Sequence, residues 1–115
     1  MIRFALRYLG HRPGASLSYF TGAGFNLVPG QEFTVPAEGL VLGRSPSAGL
    51  RVASSQVARA HVRIEPIPNG LVIDDLGSTN GTSVNGDQVR SAIAHAGDRL
   101  TLAAAFDFEV VEQEG

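Results

Sequence analysis

The sequence predicts an all-β fold, an antiparallel β-sandwich of two twisted sheets, and three observations carry that prediction. Short apolar runs of strand length recur along the 115 residues, nearly all bounded by Gly, Pro, Asn or Ser. Turn signals return about every 8 to 12 residues, the spacing of sandwiches and barrels. No window of about ten residues or more sets apolar side chains at i, i+3, i+4 and i+7, so no substantial helix is expected.

The elements follow in order. Ile2, Phe4, Leu6 and Tyr8 alternate with Arg3, Ala5, Arg7 and Leu9, the period of a half-buried strand. His11 to Gly30 is rich in Gly and Ser and reads as a long loop or a weak hairpin, with one short run at Phe25 to Val28. Further strands are expected at Glu32 to Val35, Leu40 to Leu42, Leu50 to Val52, His61 to Ile67 and Gly70 to Asp74. Thr82-Ser83-Val84 and Asp87-Gln88-Val89 flank Asn85-Gly86, a hairpin signal because both turn residues tolerate positive φ. Ala92 to Ala96 and Ala103 to Ala105 have helical propensity but are too short to use it. Arg99 to Leu102 and Phe106 to Val111 complete ten or eleven strands. Residues 1–115 read as one domain without repeat or internal linker.

Composition narrows the function. With 43% hydrophobic and 17% charged residues, the chain has enough apolar surface for a core of its own. It has no cysteine, so it has neither a disulfide framework nor a Cys-based metal site, and a reducing compartment fits. No apolar run approaches the roughly 20 residues that span a bilayer, and a cytoplasmic protein is expected. All nine basic residues are Arg, which removes lysine Schiff-base and P-loop lysine chemistry and fits a GC-rich bacterial genome. A net charge of −2 gives no electrostatic reason for nucleic-acid binding; only Arg44, Arg51, Arg59 and Arg63 on one face would supply one. A hydrolase would have to use Ser78 or Thr79 with His61 and Asp74 or Asp75, yet no Gly-x-Ser-x-Gly or metal-ligand spacing accompanies them. No enzyme, no cofactor and no metal are therefore expected. His11 and His95 stand in Gly- and Ala-rich stretches and are read as inert.

Three segments leaving strands carry the chemistry: Gly43-Arg44-Ser45-Pro46, Ser54 to His61, and Asp75 to Gly86. Arg44 offers a planar fork of donors that matches two phosphate oxygens at once. Gly77 and Gly81 free the backbone around Thr79 and Asn80, so that amides can face an anion.

The order and wording of these segments resemble the forkhead-associated (FHA) family. Gly43-Arg44 is followed fifteen residues later by Arg59-Ala60-His61, then by Asp75-Leu76-Gly77-Ser78-Thr79-Asn80-Gly81-Thr82. The resemblance covers about Leu40 to Val111, with residues 1–39 supplying N-terminal strands and the long loop. It implies a SMAD/FHA-like sandwich whose loops at one end bind phosphothreonine peptides. The implied function is a signalling adaptor that recruits a phosphorylated protein, a Ser/Thr kinase substrate, with no nucleic acid and no membrane, as one piece of a longer protein. The implied phosphopeptide-binding residues are Arg44, Ser45, Gln56, Ala58, Arg59, Ser78, Thr79 and Asn80. Thr79 would touch the phosphate by hydroxyl or amide, the Asn80 amide would bond the peptide backbone, and Gln56 would help select neighbouring residues. Arg59 either contributes charge or is simply solvated. Gly43, His61, Gly77, Gly81, Asn85 and Gly86 take structural roles, His61 by bracing the loops.

Three departures stand out. Ala58 replaces the usual serine whose hydroxyl bonds the phosphate, a loss of about 1.5 to 3 kcal/mol, or about ten- to a hundredfold in affinity. Either binding is weakened, or Ser54, Ser55 or Arg59 repairs it, or the domain docks partners or self-associates without phosphate. Ala48-Gly49 stand where an acidic or amide side chain is common, which predicts a looser first loop. Ala103 replaces a usual glycine near the last strand.

Overall fold

The computed structural model describes Ile2–Pro13 and Leu27–Glu114. Its strands are β1 (Ile2–His11), β2 (Glu32–Thr34), β3 (Leu40–Gly43), β4 (Leu50–Arg51), β5 (Val62–Ile67), β6 (Gly70–Asp75), β7 (Thr82–Val84), β8 (Asp87–Gln88), β9 (Ser91–Ala94), β10 (Arg99–Leu102) and β11 (Phe106–Glu114). They form a six-stranded sheet in the order β2-β1-β11-β10-β7-β8 and a five-stranded sheet in the order β4-β3-β5-β6-β9. The all-β sandwich is therefore present, with no helix among the described residues. One pairing departs from the antiparallel rule: β3 and β4 run parallel, with Leu42 opposite Leu50 and Gly43 opposite Arg51.

Alternation places the core. Phe4, Leu6 and Tyr8 of β1 face inward with Phe106, Phe108 and Val110 of β11, while Leu42, Ile64, Leu71 and Ile73 meet them from the other sheet. Ile2, read as an inward position, is 57% exposed because it sits at the open end of the strand. His11, read as inert, accepts or donates a 2.7 Å bond at Nδ1 with the Tyr8 hydroxyl, which gives that buried ring's oxygen a partner.

Two local readings change. Of the Phe25 to Val28 run, Phe25 and Asn26 lie outside the described residues, and Leu27 and Val28 form no strand. Ala92 to Ala94, read for weak helical propensity, instead pair with β6, Ala94 opposite Leu71 and Ala92 opposite Ile73. An open sheet edge and the burial of Ala94 outweigh a propensity worth only tenths of a kcal/mol per residue, ~0.5 at most.

The turns are as informative as the strands. Asn85 and Gly86 adopt φ of 52° and 87°, which makes the β7–β8 hairpin turn that the dipeptide predicts. Ala103 and Ala104 adopt φ of 55° and 53° in the β10–β11 turn, closed by the Ala105 N–H bonding the Leu102 carbonyl at 3.0 Å. Position 103, where the resemblance leads one to expect glycine, is a left-handed position held here by alanine.

A candidate anion site built from three loops

Gly43 ends β3 where the second loop passes against it: a Cβ there would overlap the Arg59 carbonyl oxygen, so glycine is required by close approach rather than by φ. That proximity lets the Arg44 N–H donate to the Ala58 carbonyl (2.9 Å) and the Ser45 N–H to the Arg59 carbonyl (3.1 Å). Ser45 closes the first loop, bonding the Ser47 hydroxyl at 2.8 Å and accepting the Ala48 N–H at its carbonyl at 3.0 Å.

Arg44 donates its Nε to the Val57 carbonyl at 3.1 Å. Among the described residues nothing bonds its two terminal nitrogens and no carboxylate pairs with it. One edge of the guanidinium is therefore anchored and the other faces outward, a pre-set fork for an oxyanion.

His61 is fully buried and joins the loops. Its Nδ1 accepts the Ala58 N–H at 3.0 Å, and its Nε2 lies 2.7 Å from the Gly81 carbonyl oxygen. An amide only donates and a carbonyl only accepts, so the ring is held as the neutral Nε2–H tautomer. Its own backbone adds bonds to the Leu42 carbonyl and the Leu76 N–H, both 2.9 Å. With both ring nitrogens occupied, His61 has no nitrogen left to act as a base for Ser78.

The third loop is organised by Asp75. Its carboxylate accepts the Gly77 and Ser78 N–H groups at 2.8 Å, the Ser78 hydroxyl at 2.6 Å and the Thr82 hydroxyl at 2.7 Å. Partial burial works to raise its pKa, but the hydroxyls of Ser78 and Thr82 and the Ser78 and Gly77 amides together hold it below the ordinary value. Ser78 also accepts the Gly81 N–H at 3.0 Å, so its hydroxyl hydrogen belongs to the turn. Gly77 and Gly81, at φ of 88° and 84°, supply the left-handed corners. Asn80 reaches back to donate Nδ2 to the Gln56 carbonyl at 2.8 Å, and Thr79 stands exposed at the tip with no bonded partner among the described residues.

These contacts bring Arg44, Ser45, Gln56, Ala58, Arg59, Thr79 and Asn80 to one end of the sandwich. The methyl of Ala58 offers no donor, and its N–H is committed to His61. Gln56 keeps a buried Oε1 without a partner among the described residues. Arg44, Ser45 and Arg59 line a cleft of about 580 Å³ with Arg51, Ser54 and Ser55. Arg63 is elsewhere, paired with Glu65 at 2.7 Å and bonded to the Glu38 carbonyl. Asn85 and Gly86 shape the neighbouring hairpin, where Asn85 also bonds Asp98 at 3.1 Å and the Arg99 N–H at 2.9 Å.

Sequence reasoning underrated Asp75 and Arg51. An Asp two and three residues before Gly and Ser is a turn signal that identifies Asp75. Nothing in the alternation of a two-residue strand marks Arg51.

Comparison with known proteins agrees with this geometry. The chain is 34% identical over 68 residues to Rv1747, an ABC transporter ATP-binding/permease protein of Mycobacterium tuberculosis, a match over 59% of this chain. It spans only 8% of the length of that curated relative. The solved Rv1747 FHA-1 structure from the same organism superposes with a TM-score of 0.66 at 26% identity, covering 96% of this chain and 97% of that one. Mycobacterium tuberculosis EmbR, solved in complex with a low-affinity phosphopeptide, gives a TM-score of 0.69 at 22% identity over 96% of this chain and 25% of that chain. A profile of the FHA domain matches residues 40–103, more than half of the sequence. With the two-sheet sandwich and its three braced loops, that match places this chain in the FHA domain family.

Proposed function

We propose that this domain is a cytoplasmic adaptor that binds a phosphothreonine segment of another protein, a Ser/Thr kinase substrate. The observation that carries the reading is Arg44: its Nε is fixed on the Val57 carbonyl while its exposed terminal nitrogens meet no carboxylate among the described residues. Arg44 grips two phosphate oxygens, Thr79 adds its hydroxyl or amide, and the carbonyl and second N–H of Asn80 bond the peptide backbone. The phosphopeptide bound by EmbR supports the same use of this fold. Ser78 contributes by holding the turn with Asp75 rather than by donating to the ligand. Interfaces of this kind are small, and a micromolar, transient complex follows.

A second reading, docking without phosphate, is favoured by one observation: position 58 offers neither hydroxyl nor free amide. Matched threonine, phosphothreonine and phosphoserine peptides, titrated into the protein and its Arg44→Ala and Ala58→Ser variants, separate the two. The phosphate reading expects Arg44→Ala to lose measurable binding and Ala58→Ser to tighten it about tenfold. Equal affinity for phosphorylated and plain peptides in every variant would select the second reading.

A further inference from the structure

The cleft beside the Arg44 fork has more positive charge than one phosphate requires. Three guanidiniums, those of Arg44, Arg51 and Arg59, line it, and none of the eleven acidic residues does. This concentration occurs on a molecule whose net charge is −2, so it reflects placement rather than an excess of base.

The arginines are held in different ways. Arg51 sits on the strand next to β3 and donates its Nε to the Arg44 carbonyl at 3.0 Å, which ties its side chain to the first loop. Arg59 is exposed, and no carboxylate or hydrogen-bond acceptor holds its side chain among the described residues. A cation left without counter-charge beside another gains most from an anion that bridges them.

Serines line the cleft as well. Ser54 is 1% exposed, and its only described side-chain bond is one it accepts, from the Gln56 N–H at 3.3 Å. Its hydroxyl hydrogen therefore has no acceptor among the described residues, and a buried donor of this kind calls for one. Ser55 at the rim adds a second, exposed hydroxyl.

We infer that this cleft is a second phosphate subsite, so that the preferred ligand is a segment phosphorylated twice, with one phosphothreonine on Arg44 and Thr79 and a second phosphate between Arg51 and Arg59 over Ser54. The inference rests on the proposed phosphothreonine reading and names the substrate class for it. It also gives Ala58 a physical context: contacts missing from the first phosphate are offset by those made to the second.

The test uses one peptide carrying a central phosphothreonine, alone or with a phosphoserine moved through successive positions on each side, against the 115-residue chain. The quantity read is the ratio of affinities for doubly and singly phosphorylated peptides. The expected ratio is about ten at one or two neighbouring positions and near one elsewhere. Arg59→Gln should bring the ratio to near one, Arg59→Lys should restore part of it, and Arg3→Ala should leave it unchanged. A gain independent of position, or unaffected by Arg59→Gln, would overturn the subsite. So would glutamate giving the full gain at the preferred position, which would make the ligand merely acidic. Binding of the singly phosphorylated peptide with a ratio of one removes this inference and leaves the proposed function standing. Binding of neither peptide removes both.

Discussion

Two side chains at the loop end do opposite things with their nitrogens. Arg44 commits one and presents two, whereas His61 commits both and presents none. His61 is thus a positioning residue, and its truncation loses two hydrogen bonds, one of them fully buried, and leaves a void. At about 1 kcal/mol for each bond and a further 1 to 3 for the void, His61→Ala should cost about 3 to 5 kcal/mol. Urea unfolding should show this as a lower midpoint at unchanged slope; a loss under about 1 kcal/mol would mean the loops hold without the histidine. Asp75 makes a prediction about pH. Its folded pKa lies below the ordinary 3.8, so its contribution is present above that value and is lost as pH falls through the folded one. Melting temperatures of Asp75→Asn should be lower than wild type near neutrality, with the gap closing in acid below about pH 4. A constant gap across that range would contradict the assignment.

At the scale of elements, turn chemistry decides more than strand composition. The β10–β11 turn needs positive φ at two successive residues, and alanine meets that need at both. Left-handed alanine is strained by about 1 to 2 kcal/mol, partly offset by its lower entropy when unfolded. Ala104 is exposed, so Ala104→Gly should stabilise the protein by about 0.5 to 1 kcal/mol in chemical denaturation. No change or a loss would show that the turn carries no such strain. What was legible in the sequence follows the same division. Alternation in Phe4, Leu6 and Tyr8, or in Phe106, Phe108 and Val110, marks a face, and Asn85-Gly86 marks a turn, because each is a local rule with one physical solution. Ala92 to Ala94 were illegible as β9, since only the neighbouring β6 makes them a strand. The β3–β4 parallel contact depends equally on a loop closing over distance.

At the scale of the molecule, net charge proved a poor guide. A value of −2 describes the chain correctly and conceals three arginines around one cleft, because composition carries no positions. The residues of the candidate site were readable as wording, Gly-Arg, Arg-x-His and the Asp75 to Thr82 run, but their division into those left facing outward and those that brace the loops was not. That division lies in hydrogen bonds between segments well apart in the chain, such as Arg44 to Val57, 13 residues apart, and Asn80 to Gln56, 24 apart. Charge placement also sets the salt response. A dianion read by exposed guanidiniums should weaken by about tenfold or more between ~0.05 and ~0.5 M salt, whereas a docking face without phosphate should change little. The most direct measurement is an NMR titration of the ¹⁵N-labelled protein, following the Arg44 side-chain resonances and the Thr79 amide with paired phosphothreonine and threonine peptides. Both sets should shift saturably with the phosphorylated peptide and stay in place with the plain one. Shifts that spare Arg44, or that the unphosphorylated peptide reproduces, would rule out a phosphate read by Arg44.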